Sequence, residues 1–162
     1  MAVQLQGNLV KKAHKKIKYT DKMLSDLAKC SDPDTGPMYF MERFLQIQHP
    51  TKGAIKFEPY AFQKNLVQNY HENRFSINML PRQTGKTTCA SAYLLWYAMF
   101  VPDSQILIAA HKYTGAQDIM NRFRYAYESV PDFIRPGIYS YNRNTIEFDN
   151  GSRVKATTTT EN

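Results

Sequence analysis

The stretch Met79-Leu-Pro-Arg-Gln-Thr-Gly-Lys-Thr-Thr88 carries the residue types that cradle a phosphate chain. Successive backbone N–H groups in a tight loop, with the positive end of a following helix, make a concave anion site. Gly85 lets the backbone approach the phosphates, Lys86 reaches the β and γ groups, and the Thr87 hydroxyl is of the kind that ligates Mg²⁺. Pro81, Arg82, Gln83, Thr84 and Thr88 complete the candidate nucleotide-binding loop. The usual pattern, G-x-x-x-x-G-K-[ST], wants a first glycine where this chain has Leu80. The competing reading is a chance Gly-Lys-Thr after a strand.

Such a loop needs a strand before it and a helix after it. Residues 75–80 form a short apolar run that reads as a buried strand, and residues 87–100 are apolar over a helical length. After the turn Pro102-Asp103-Ser104, residues 105–110 read as a second strand, in a sheet buried on both faces. His111, Lys112 and Tyr113 sit at its C-terminal end, where ligands gather in open α/β sheets. His111 and Lys112 either touch a nucleic-acid backbone or are solvated loop residues. Residues 115–130 read as a helix closed by Pro131. Strand, helix, strand, helix predicts a parallel sheet with right-handed crossovers. Asn150-Gly151, between alternating residues 145–149 and 152–157, reads as a two-residue hairpin appended to that parallel core. The four threonines Thr157 to Thr160 suit a strand end.

Upstream, residues 59–70 read as a helix begun by Pro59 and carrying Tyr60 and Gln63. A glutamine side chain has one acceptor and two donors, which match an adenine edge. The alternative is an exposed glutamine on an amphipathic helix. Before the boundary candidate His49-Pro-Thr-Lys-Gly53, a capped helix over residues 20–29, a turn-rich break and a second helix opened by Pro37 are expected, with Tyr39, Phe40, Phe44 and Leu45 inward. Seven basic residues, Lys11, Lys12, His14, Lys15, Lys16, Lys18 and Lys22, crowd the start. They read either as contacts for DNA phosphates or as a solvated, partly disordered arm.

A chain of 162 residues has the length of one domain, and its net charge of +7 favours a polyanionic partner. Cys30 and Cys89 are too few and too far apart for a metal site or a disulfide framework. Neither a secretory leader nor a long apolar run is seen, so the expectation is a soluble, intracellular protein without membrane partners. No apolar strand ending in Asp or Glu follows the loop, because Glu147 and Asp149 lie in the hairpin and Glu161 has no such strand before it. A phosphate-loop ATPase needs that acidic half for Mg²⁺ and for the attacking water.

Four separated segments, Pro81-Arg-Gln-Thr-Gly-Lys-Thr87, Ile108-Ala-Ala-His-Lys112, Val130-Pro-Asp-Phe133 with Pro136-Gly137, and Asp149-Asn-Gly-Ser152, together resemble the large terminase subunit of contractile-tailed bacteriophages over residues 57–162. The resemblance implies a P-loop NTPase-type α/β fold, a mostly parallel sheet with flanking helices, incomplete; the residues themselves add the C-terminal β-hairpin and a helical N-terminal region. Residues 1–52 would be a basic arm and helices, and residues 53–162 the N-terminal half of the ATPase domain, without a nuclease domain. It implies ATP and Mg²⁺ as cofactors, with double-stranded viral DNA, a portal protein and a small terminase subunit as partners. A homo-oligomeric ring on the portal, in the host cytoplasm, follows from the same likeness. Leu80 is explained, since Arg-Gln-x-Gly-Lys-Thr is the family's form of the loop. Arg82 and Lys86 become the expected catalytic cations, Arg82 sensing or polarising the γ-phosphate, and Gln63 matches the adenine-recognition glutamine. Two other readings stay open: a helicase-type ATPase core, or a non-catalytic nucleotide- or DNA-binding piece used in assembly.

Overall fold

The computed structural model describes residues 10–49 and 51–159. Thr20 is extended and its Oγ1 accepts from the Met23 N–H at 3.3 Å, so the first helix, α1 (Asp21–Cys30), starts at a side-chain cap. Asp32 Oδ1 then gathers the N–H groups of Asp34 and Thr35, an Asx turn that feeds α2 (Gly36–Phe44) with Pro37 in its first turn. Phe40 and Leu45 are buried as expected, while Tyr39 and Phe44 are half-buried. Strands β1 (Gln46–His49) and β2 (Gly53–Lys56) pair antiparallel. The expected division between residues 52 and 53 falls in the turn of this hairpin, of which Pro50 lies outside the described residues. Buried side chains from both sides of it form one cluster. Helix α3 (Ala61–Glu72) follows a Tyr60 cap, so Pro59 precedes the cap instead of opening the first turn.

Helix α4 (Lys86–Phe100), strand β3 (Gln105–Ala110) and helix α5 (Tyr113–Ser129) come next, close to their expected bounds. Three short strands end the described chain: β4 (Ile138–Tyr141), β5 (Thr145–Phe148) and β6 (Arg153–Thr158). Thr160, Glu161 and Asn162 lie outside the described residues. The larger sheet has the order β3-β6-β5-β4, and only β3 with β6 is parallel. The mostly parallel sheet is thus corrected to a mixed one; among the described residues the chain is mixed α/β, with five helices and two sheets.

The hairpin is not an appendage. Strand β6 lies between β3 and β5 because its alternation buries Val154 and Ala156 on one face, while both of its backbone edges remain available for pairing. Nor is its turn a two-residue one. Gly151 alone is left-handed, at φ 84°; its N–H donates to Phe148 O, and the Phe148 N–H donates to Ser152 O at 2.9 Å. The loop is therefore longer by one residue and closes on a glycine bulge. Asn150 Nδ2 donates to Ala98 O at 2.9 Å and Met99 O at 3.2 Å, and Ser152 Oγ donates to Val101 O at 3.0 Å. These bonds satisfy carbonyls at the C-terminal end of α4, which helical bonding leaves orphaned.

The sheet is covered on one face only. Helix α5 packs there over Ile108, Val154 and Ala156, with α4 against α5 and touching β3, and α2 and α3 against α4. On the other face Gln105, Leu107, Ala109, Arg153 and Lys155 are exposed, Leu107 at 64%. The expectation that β3 is buried on both faces fails because the helices gather on one side, as they do in α+β proteins. The expected strand over residues 75–80 is also absent. Phe75, Ile77 and Met79 are 83%, 96% and 93% exposed, and no neighbouring strand takes up their backbone groups. A lone strand cannot satisfy its own N–H and C=O groups, so the apolar alternation forms no sheet.

The basic start of the chain is not a solvated arm throughout. The Ile138 N–H donates to Lys11 O at 2.9 Å, Lys12 bridges Ile138, and the His14 N–H donates to Asp149 Oδ2 at 2.9 Å. Lys11 Nζ, only 8% exposed as a residue, donates to Arg135 O at 2.7 Å, and Lys15 pairs with Asp132 at 2.8 Å. Burial lowers the Lys11 pKa, with the neighbouring Asp149 and Asp132 opposing. Lys12, Lys16, Lys18 and Lys22 remain exposed.

Candidate phosphate-binding site

The loop between α3 and α4 is shaped by two left-handed residues, Gln83 at φ 64° and Gly85 at φ 77°. For Gln83 that conformation costs on the order of 1–2 kcal/mol, the sort of strain that collects at functional loops. Thr84 Oγ1 donates to Pro81 O at 3.0 Å and closes the turn. Gly85 then caps α4, so Lys86 and Thr87 are its first two helical residues and their N–H groups have no partner within the helix. A partial positive charge therefore stands where the loop opens.

Gln63 reaches the loop from α3. Its Nε2 donates to Thr84 O at 2.9 Å and its Oε1 accepts from the Tyr60 N–H at 3.0 Å. The side chain is buried, and a Cβ on Gly85 would lie 2.6 Å from its Nε2. Glycine is thus required twice at position 85, for its backbone angle and for the space that Gln63 takes. Tyr60 stacks on Phe62, 6.0 Å between centroids, and is 70% exposed beside the loop.

Lys86 Nζ donates to Leu80 O at 3.2 Å, an exposed bond that an incoming phosphate can replace. Arg82 is exposed at the mouth and makes no ion pair among the described residues. Thr87 and Thr88 are half-buried at the start of α4. All of the expected loop residues are therefore together, with Gln63 behind them. His111 and Lys112 are not part of this group. His111 lines a separate open hollow of about 480 Å³ with Tyr113, Asn144 and Lys155, and Lys112 caps α5.

A cavity of about 570 Å³ adjoins the loop and was not foreseen. It begins at Thr88 and runs along α4 past Ser91 and Ala92, with Asp118, Asn121, Arg122 and Tyr125 of α5 opposite and β1 across its end. The polar residues of α5 recur at helical spacing, which in sequence looks like any solvated face. Nothing in the sequence says that β1 folds over them. Cys30 and Cys89 are buried, their thiols pushed up by burial to about 12 and about 11, so neither is a nucleophile. Among the described residues no group of three or more His, Cys, Asp or Glu could hold a metal ion, and no helix is long and apolar enough to cross a membrane.

A one-sided α/β sheet with a glycine-capped, cation-bearing loop between two of its helices defines a candidate anion-binding protein. The family described as the N-terminal part of the T4-like-virus type of terminase large subunit matches residues 77–162, more than half of the chain, and the chain belongs to that family. Membership supports a role in phage DNA packaging, and large terminase subunits are generally ATPases. The match starts at Ile77, so it takes in the loop and the whole larger sheet but not Gln63.

Proposed function

We propose that this chain is the ATP-binding portion of a viral DNA-packaging motor, its loop holding the triphosphate of ATP. The observation that carries this reading is Gly85: a left-handed cap, held from behind by the buried Gln63 amide, that ends the loop where the first N–H groups of α4 have no partner within the helix. Residues 81–88 fit a nucleotide with its Mg²⁺. The N–H groups at the start of α4 face the phosphates, Lys86 trades Leu80 O for phosphate oxygens, and Thr87 offers its hydroxyl to the metal. When bound, Mg²⁺ would neutralise charge on the β and γ groups. Arg82, whose planar guanidinium makes no ion pair among the described residues, suits charge that develops on the γ-phosphoryl oxygens. Double-stranded DNA, a portal protein and a small terminase subunit are the partners this reading proposes.

The candidate residues supply the cationic and hydroxyl half of an ATPase site and no acidic half. The chain alone is therefore expected to bind ATP weakly and turn it over negligibly. Calorimetric titration with ATP and Mg²⁺ tests the reading. Lys86→Ala should weaken binding by about tenfold or more, a loss of roughly 1.4 kcal/mol, without changing the unfolding midpoint. Equal affinity in the two proteins would overturn it.

A further inference from the structure

We propose that the hollow at the C-terminal ends of β3 and β6 is where the backbone of double-stranded DNA docks on this chain, its phosphates held without regard to sequence; the identity of the ligand rests on the DNA-packaging reading. Parallel pairing creates the place. Ala110 lies beside Thr158 in register, so both strands end together, and the Thr159 N–H closes on Ala110 O at 3.1 Å. The turn between β4 and β5 comes alongside, because the Ala156 N–H donates to Asn144 O at 2.8 Å. Three separate segments thus enclose an open hollow of about 480 Å³.

Its charge has one sign. His111 and Lys155 line the hollow, Lys112 and Arg143 adjoin lining residues in the chain, and all four are exposed. Among the described residues none of the four makes an ion pair, and no carboxylate lines the hollow. By contrast Lys15, Arg135 and Arg153 are spent on Asp132 and Glu147. A concavity edged by one sign of charge focuses the field on an oppositely charged partner. In the sheet order β3-β6-β5-β4, Lys112 and Arg143 leave the sheet on either side of β6. Two steps between strands span on the order of 10 Å, so these cations match an extended polyanion better than a single phosphate group.

Asn144 shows which kind of atom the hollow suits. Its Oδ1 accepts from Tyr113 Oη at 2.8 Å and from Gln117 Nε2 at 2.9 Å, and Gln117 is buried. The amide is thereby fixed, and its Nδ2 remains a donor without a partner among the described residues. Phosphate oxygens only accept, as this set of amide, ammonium and guanidinium groups requires. Contacts of this kind position a duplex and read no bases.

Fluorescence anisotropy of the whole chain with two labelled duplexes of unrelated sequence, followed against salt, tests the site. Lys112→Ala, Arg143→Ala and Lys155→Ala together should weaken both complexes by about tenfold or more at low salt, and reduce the salt slope by about 0.9 for each phosphate released. Removing the same charge elsewhere, with Lys22→Ala, Lys52→Ala and Lys56→Ala on exposed positions, should leave both quantities nearly unchanged. Asn144→Asp keeps the two accepted bonds, puts a carboxylate in the hollow, and should weaken DNA binding without altering ATP affinity. Equal losses in the two triple variants would mean that DNA follows net charge alone, and would overturn the proposal. Wild-type protein that binds neither duplex would overturn it too, as would loss of ATP affinity in the first triple variant, which would make the hollow part of the nucleotide site. Selective loss of DNA binding in that variant, with no ATP bound by wild type, would sustain the hollow and remove the loop reading.

Discussion

The two ends of helix α4 are built on opposite terms. At its C-terminal end, Asn150, Ser152 and Ser104 bond one another and the last carbonyls, and the sheet beyond is closed further by Lys11, His14 and Lys15 docking on residues 132–149. At its N-terminal end, residues 75–79 project into solvent, Lys86 rests on a single carbonyl, and one buried amide, that of Gln63, supports the loop. One end spends its polar groups on itself. The other leaves the Arg82 and Lys86 side chains exposed.

The largest expected effect exploits that contrast. Phe148 is 1% exposed in the sheet, so Phe148→Ala should destabilise by about 3–5 kcal/mol in urea unfolding. Ile77→Ala, at 96% exposure, should stay within about 0.5 kcal/mol. Comparable losses would show that residues 75–80 are ordered in solution by something the fold does not contain.

Gly85→Ala sharpens the comparison at the other end. A Cβ at φ 77° should cost about 1–2 kcal/mol, and displacing Gln63 Nε2 adds to it. Removing the obstruction with Gln63→Ala should restore part of the loss, so the double-mutant cycle should show coupling of about 0.5 kcal/mol or more. Strict additivity would mean that Gln63 does not support the loop.

A smaller effect is acid sensitivity of the closed end. Burial raises the Asp132 pKa, but hydrogen bonds from Lys15 and Arg135 outweigh it and hold the carboxyl below its ordinary value. A folded pKa below the unfolded one contributes stability above the unfolded pKa, and that stability is lost as pH falls through the folded value. Unfolding followed from neutral pH into the acid range should show this loss, reduced in Asp132→Asn. An identical pH profile for the variant would place the acid sensitivity elsewhere.

The smallest effect concerns DNA. Exposed Lys12, Lys16 and Lys18, changed together to Ala, should lower the salt slope of DNA binding, by about 0.9 for each phosphate that is no longer neutralised. Lys11→Ala, at a buried ammonium, should change stability and leave that slope alone. An unchanged slope in the triple variant would make these lysines mere solvated surface.

The helices were legible in the sequence because each carries its own signals: Thr20 before α1, Pro37 at the start of α2, the Gly-Lys opening of α4 and Pro131 after α5. The glycine-capped loop before α4 was legible for the same reason, since its glycine, lysine and threonines are contiguous. Pairing was not. Which strand lies beside β3 depends on residues 48 positions away and on a turn whose Asn-Gly pair suggested a shorter loop. Residues 75–80 have a strand's alternation but no partner, and periodicity cannot report a partner. The cavity escaped notice because its walls come from α4, α5 and β1, each of them ordinary alone.

The parallel pairing of β3 with β6 also dictates an order of events during synthesis. Residues 105–110 leave the ribosome well before their hydrogen-bonding partner, residues 153–158, exists. At a translation rate of about 5–20 residues per second, β3 waits some seconds with its backbone edge unpaired beside Ile108. Helices α1 to α4 need no such wait, since they pack on one another through residues already present. The nascent chain therefore carries a formed helical cluster and an unmated strand at the same moment, and its exposure to misassociation is greatest just before β6 emerges.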